Sequence, residues 1–75
     1  MDLYYQNETL YIEILEDLTQ LEYNRLQKKI FKIIDDYGVD KIVIRNISQM
    51  HHNKQFLRQM KQNFYEKYQG DFYIR

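Results

Sequence analysis

The chain has no cysteine, no proline, no tryptophan and no alanine, and only two glycines in 75 residues. Without cysteine there is no disulfide, no thiolate nucleophile and no zinc ribbon. Two glycines as far apart as Gly38 and Gly70 make neither a phosphate-cradling loop nor a dinucleotide fingerprint. No run approaches the roughly 18 consecutive apolar residues of a membrane span, and no charged-then-apolar leader opens the sequence. These absences lead us to expect one domain over residues 1–75, cytoplasmic and without membrane insertion. They also deny so short a domain its usual staples, so self-association or packing on a partner is expected.

Eleven basic and eleven acidic side chains cancel, but unevenly. Residues 1–40 carry nine acids and four bases, and residues 41–75 carry two acids and seven bases, so the halves stand at about −5 and +5. Apolar residues make up 44% of the chain, enough for a core, and eight tyrosines dominate the aromatics.

Periodicity divides the chain into six elements. Residues 3–5 are apolar, residues 6–9 are turn-like, and residues 10–15 alternate, which together predict a β-hairpin. Thr19 and Glu22 have the spacing of a capping box. Tyr23, Leu26, Ile30, Ile33, Ile34 and Tyr37 then recur every three or four residues, as on one helix face, up to Gly38. Residues 41–45 read as a buried strand and residues 46–52 as a loop. From about Asn53 the helical period returns with Leu57, Met60, Phe64 and Tyr68, and it stops at Gly70. Each glycine is expected at a left-handed helix C-terminus. Residues 71–75 read as a last strand.

The expected fold is therefore two-layer α/β: a four-stranded mixed sheet in the order β-β-α-β-α-β with two helices on one face. The covered face would hold Leu10, Ile12, Ile14, Ile42, Ile44, Phe72 and Ile74. The bare face would hold Tyr11, Glu13, Val43, Arg45, Tyr73 and Arg75. Tyr23, Tyr37 and Tyr68 are expected in the core or at its rim.

Little here can do covalent chemistry. Ser48 is the only serine, and no glycine-rich oxyanion turn surrounds it, so a relay with His51 is unsupported. His51 and His52 are adjacent, point apart and lack further ligands at metal-binding spacing, so two solvated loop histidines are the plainer reading. We expect no enzyme, no metal and no cofactor. Lys54, Arg58 and Lys61 form one basic edge of the second helix, either a solvated face or a dock for an acidic partner. The Tyr11, Tyr73 and Arg45 face offers a base-stacking platform for nucleic acid, but neutral net charge supplies little attraction for phosphate.

The run of a hairpin, "ILEDLT", a capped helix, the strand "KIVIRNIS", a loop, a second helix and "GDFYI" resembles the STAS domain of bacterial anti-sigma-factor antagonists. Glu16, Asp17, Leu18 and Thr19 hold the places of that family's Gly-Glu-Leu-Asp-like segment, with Glu16 where the family has glycine. Ile42, Val43, Ile44 and Arg45 match its Val-Leu-Asp-Leu-like strand. The resemblance implies a STAS-like fold, minimal or truncated at its C-terminal end, and a regulatory role through an anti-sigma-like protein partner. In the family a serine or threonine at the start of the second helix is phosphorylated by a partner kinase. The corresponding stretch here, Met50 to Lys54, has no hydroxyl, and Ser48 lies upstream. Binding is thus expected to be constitutive, through Ser48, Met50, His51, His52, Asn53, Lys54, Arg58 and Lys61. A further interface is expected on the sheet face at Tyr11, Glu13, Val43, Arg45 and Tyr73, used for self-assembly or, more weakly, for nucleic acid.

Overall fold

The computed structural model describes residues 2–47 and 51–75. Its elements are β1 (Asp2–Gln6), β2 (Thr9–Ile14), α1 (Gln20–Tyr37), β3 (Lys41–Asn46), α2 (His51–Tyr68) and β4 (Asp71–Ile74). The strands lie side by side in chain order, β1-β2-β3-β4. β1 is antiparallel to β2, whereas β2, β3 and β4 are parallel to one another. This is the four-stranded mixed sheet with two helices that the periodicity predicts. None of the described helices is long and apolar enough to cross a membrane.

Each element has a local cause. The hairpin turns at Asn7 and Glu8, both in the left-handed region at φ 52° and 61°, with Gln6 opposite Thr9. Two successive left-handed residues give the turn twist that suits a two-residue hairpin. α1 starts on a complete capping box: Glu22 N–H donates to Thr19 Oγ1 at 3.2 Å, and Thr19 N–H donates to Glu22 Oε1 at 3.0 Å. The backbone hydrogen bond from Thr19 is the main reason that the Glu22 carboxyl stays below its ordinary pKa. Gly38 ends α1 at φ 70° and donates to Ile34 O.

One apolar layer joins helices to sheet. Leu10, Ile12, Ile14, Ile42, Ile44 and Phe72 meet Tyr23, Leu26, Ile30 and Ile34 of α1 and Leu57, Met60 and Phe64 of α2. The helices run alongside each other in the same direction. Tyr23 stacks on Phe56 at 4.7 Å between ring centroids, Phe31 meets Tyr68 edge-on at 5.8 Å, and the Tyr68 hydroxyl donates to Asp35 at 2.6 Å.

Four expectations change. Gly70 is not the left-handed residue after α2; Gln69 is, at φ 58°. Gly70 is needed for clearance, since a Cβ there would sit 2.5 Å from Asp40 O and 2.8 Å from the Phe64 ring. Ile74 lies on the covered face but is 38% exposed, because β4 is an edge strand with a neighbour on one side only. Tyr37 is 66% exposed at the last turn of α1, past the sheet, where its carbonyl accepts from the Tyr5 hydroxyl. Asn46 belongs to β3, and His51 and His52 open α2 in place of a loop.

Two substitutions test these backbone assignments in urea denaturation. Gly70→Ala is expected to cost about 2 kcal/mol through overpacking, more than the roughly 1 kcal/mol of Gly38→Ala, which meets only open space but loses the left-handed preference. Glu8→Gly is expected to raise the midpoint by relieving the turn. A hydrogen bond with Asp40, and then Asp40's charge, hold the Glu8 carboxyl above its ordinary 4.5. Such a group favours the folded state at low pH, and that benefit is lost as pH rises through the raised value. The gain from Glu8→Gly should therefore be larger at pH near 7 than near 3.

Candidate interaction surfaces

Two surfaces stand out, and one buried side chain links the first of them to the fold. Asn53 is fully buried in the first turn of α2. Its Oδ1 accepts from Leu18 N–H at 2.8 Å, and its Nδ2 donates to Glu16 O at 2.9 Å. A longer contact, 3.5 Å, runs from Nδ2 to Asn46 Oδ1. The amide thus ties the end of β3 and the start of α2 to the connection between β2 and α1. The expectation that Asn53 meets a partner is corrected here: its polar atoms are already used inside the chain. Sequence carried the signal, because Asn53 falls at i, i+4, i+7 and i+11 with Leu57, Met60 and Phe64, the stripe that faces the core.

The exposed flank of α2 is the first surface. Lys54, Arg58 and Lys61 are all exposed, as a row one to two turns apart. Among the described residues, none of the three is within ion-pair distance of a carboxylate; the ion pairs formed are Arg45–Glu13 and Lys67–Asp35. Arg58 and Lys61 also line a groove of about 200 Å³ with Gln62, Tyr65, Gly70 and Phe72 beside the outer edge of β4. Tyr65 is 62% exposed there. Ser48 and Met50, and the side chains of His51 and His52, lie outside the described residues.

The second surface is the sheet face opposite the helices. The register sets its side chains in rows across the strands. One row is Tyr4, Tyr11, Val43 and Tyr73. The next is Asp2, Glu13 and Arg45, continued by Arg75, whose N–H donates to Ile44 O at 2.8 Å. Tyr4 and Tyr11 stack with centroids 4.8 Å apart and planes 12° from parallel. Arg45 and Glu13 approach to 3.6 Å. Lys41 Nζ sits 5.9 Å from the Tyr73 ring centroid. Asp2, Tyr4, Tyr11, Glu13, Val43, Arg45 and Arg75 enclose an open groove of about 450 Å³. Val43, at 9% exposure, is nearly shielded by these larger neighbours.

The structure therefore brings Tyr11, Glu13, Val43, Arg45 and Tyr73 together on one face, as alternation predicts. It adds Tyr4 and Asp2, which share that face through the hairpin register and which the sequence reading missed. The same alternation, carried one strand back from Thr9 to Gln6, would have found them. For nucleic acid the face is poorly arranged: Tyr4 covers one side of the Tyr11 ring, Glu13 partly neutralises Arg45, and two carboxylates share the groove.

No family model matches the chain, and no curated protein or solved structure matches it.

The Asn53 tie predicts a large cost for its loss. Asn53→Ala would strand the Leu18 N–H and the Glu16 carbonyl and open a cavity, for about 3 kcal/mol in chemical denaturation. Asn53→Asp keeps the acceptor for Leu18 but turns a carboxylate toward Glu16 O, and should destabilise most above the acid range and recover partly as pH falls.

Proposed function

We propose that this chain is a non-enzymatic protein-interaction module, regulatory in role and of the anti-sigma-factor-antagonist kind, that docks an acidic protein surface through the outer flank of α2. The observation that carries this reading is the row Lys54, Arg58 and Lys61: three exposed cations on one helix flank, none within ion-pair distance of a carboxylate among the described residues. Exposed cations with no carboxylate beside them among the described residues give a partner's carboxylates somewhere to bind and speed encounter at low salt. Tyr65 and the groove beside β4 add an aromatic contact to the charged row. Aromatic and arginine side chains are the residue types that concentrate binding energy at protein interfaces.

The order of elements supports the same reading, because the resemblance to the antagonists rests on that order: a hairpin, a capped helix, a β-branched strand, a second helix and a further strand. The Asn53 tie gives the flank a rigid footing, since it fixes the start of α2 against the connection that carries Glu16 and Leu18. The stretch from Met50 to Lys54 offers no phosphoacceptor, so the docking is constitutive.

The triple variant K54E/R58E/K61E tests the site. It should fold as the wild type does by circular dichroism, because the three side chains are exposed, and should lose at least about tenfold in affinity for an acidic partner captured by the wild-type chain. Unchanged capture would refute the assignment. Incubation with a serine kinase and ATP should leave the intact mass unaltered; a phosphate on Ser48 would overturn constitutive binding.

A further inference from the structure

The charges on the uncovered sheet face are ordered in a way that a second copy of the same face can satisfy. Read across the strands from β1 to β4, one row runs Asp2, Glu13, Arg45, Arg75: two negative, then two positive. Consider two such faces brought together about a two-fold axis that lies between them, parallel to the strands and between β2 and β3. The operation keeps each row at its own level and reverses its order. Asp2 then faces the second copy's Arg75, and Glu13 faces the second copy's Arg45, each pairing occurring twice. The next row, Tyr4, Tyr11, Val43 and Tyr73, meets its own reverse: Tyr4 opposes Tyr73, and Tyr11 opposes the shielded Val43. A two-fold perpendicular to the strands would instead set Arg45 against Lys41, like against like, and leave Asp2 and Glu13 facing Gln6 and Thr9, with Arg75 against Asp71 as its one opposite-charge pairing.

We infer that the chain forms a face-to-face homodimer through this surface, with the strands of the two sheets running the same way in aligned packing. The face is self-complementary in the order of its charges, which is what a two-fold contact requires, and its central row is mostly aromatic. Its size sets its strength. Four strands about 4.8 Å apart and three rows about 7 Å apart give a face of roughly 20 by 20 Å, about 400 Å² per copy, which is half the area per partner of a standard stable interface and the size of a transient one. The dimer is accordingly weak, with Kd on the order of 10–100 μM, and dissociates on dilution or in high salt. It uses the face opposite α1 and α2, so it is independent of the docking flank on α2.

Sedimentation velocity on the wild-type chain and on two charge-reversed variants tests this. The wild type should pass from monomer to dimer with concentration. Glu13→Arg sets arginine against the second copy's Arg45, and Arg45→Glu sets glutamate against the second copy's Glu13, twice in each dimer. Each variant alone should bind itself at least about tenfold more weakly than the wild type. An equimolar mixture of the two restores every pairing and should recover a dimer, made of one copy of each. That recovery cannot come from misfolded variants, and the doubly reversed E13R/R45E chain, with the same order of complementarity, should dimerise alone. A wild-type chain that stays monomeric up to about 1 mM overturns the proposal. Variants that self-associate as well as the wild type, or a mixture that stays monomeric, also overturn it.

Discussion

Both crossovers of this fold, β2-α1-β3 and β3-α2-β4, place their helices on the same side of the sheet, and every other property of the surface descends from that. Two amphipathic helices side by side are wide enough to cover β2 and β3 and the inner part of β4. They bury one continuous apolar layer from Leu10 to Phe72. The opposite face of the four strands is covered by neither helix. A small domain with one core layer has little stability to spare, so what it places on the bare side is constrained: rings that stack on one another, and charges that pair within the row.

Asn53 shows how that single layer is closed at one end. A polar amide inside an apolar stripe is costly unless all its groups are satisfied. Here the two ends of the amide serve one acceptor and one donor on the same loop, Glu16 O and Leu18 N–H. The loop that leads from β2 into the capping box of α1 is thereby held by the helix that follows β3. Residues 16 to 19 and the first turn of α2 thus form one mechanical unit.

Much of this architecture was legible in the sequence, for identifiable reasons. The period of three to four residues from Tyr23 to Ile34, the Thr19–Glu22 capping box and the β-branched run at 42–44 are local signals, and local signals set the elements. Alternation assigned Tyr11, Glu13, Val43, Arg45 and Tyr73 to one face. What stayed hidden depended on the distance between elements. The role of Gly70 is set by Asp40 and Phe64, both remote in sequence. Ile74 and Tyr37 have the pattern of core residues but lie where the sheet or the helix layer runs out. Asn53 was placed on the docking surface because it lies in the stretch that opens the second helix, although its place in the stripe pointed inward. The hairpin register, which puts Tyr4 on Tyr11, follows from the turn at Asn7 and Glu8 and not from any propensity of β1.

The chain-order sheet has a kinetic side. Every strand pairs with the strand just before it in sequence, so no pairing waits for a distant segment, and each loop to be closed spans only one helix and its connections. Closure entropy is then met in small steps, and the mean sequence separation of contacts stays low for a largely parallel sheet. A nascent chain can lay down the hairpin, add α1 and β3 against it, and then add α2 and β4, each docking on a surface already formed. Folding in the order of synthesis is thus built into the topology.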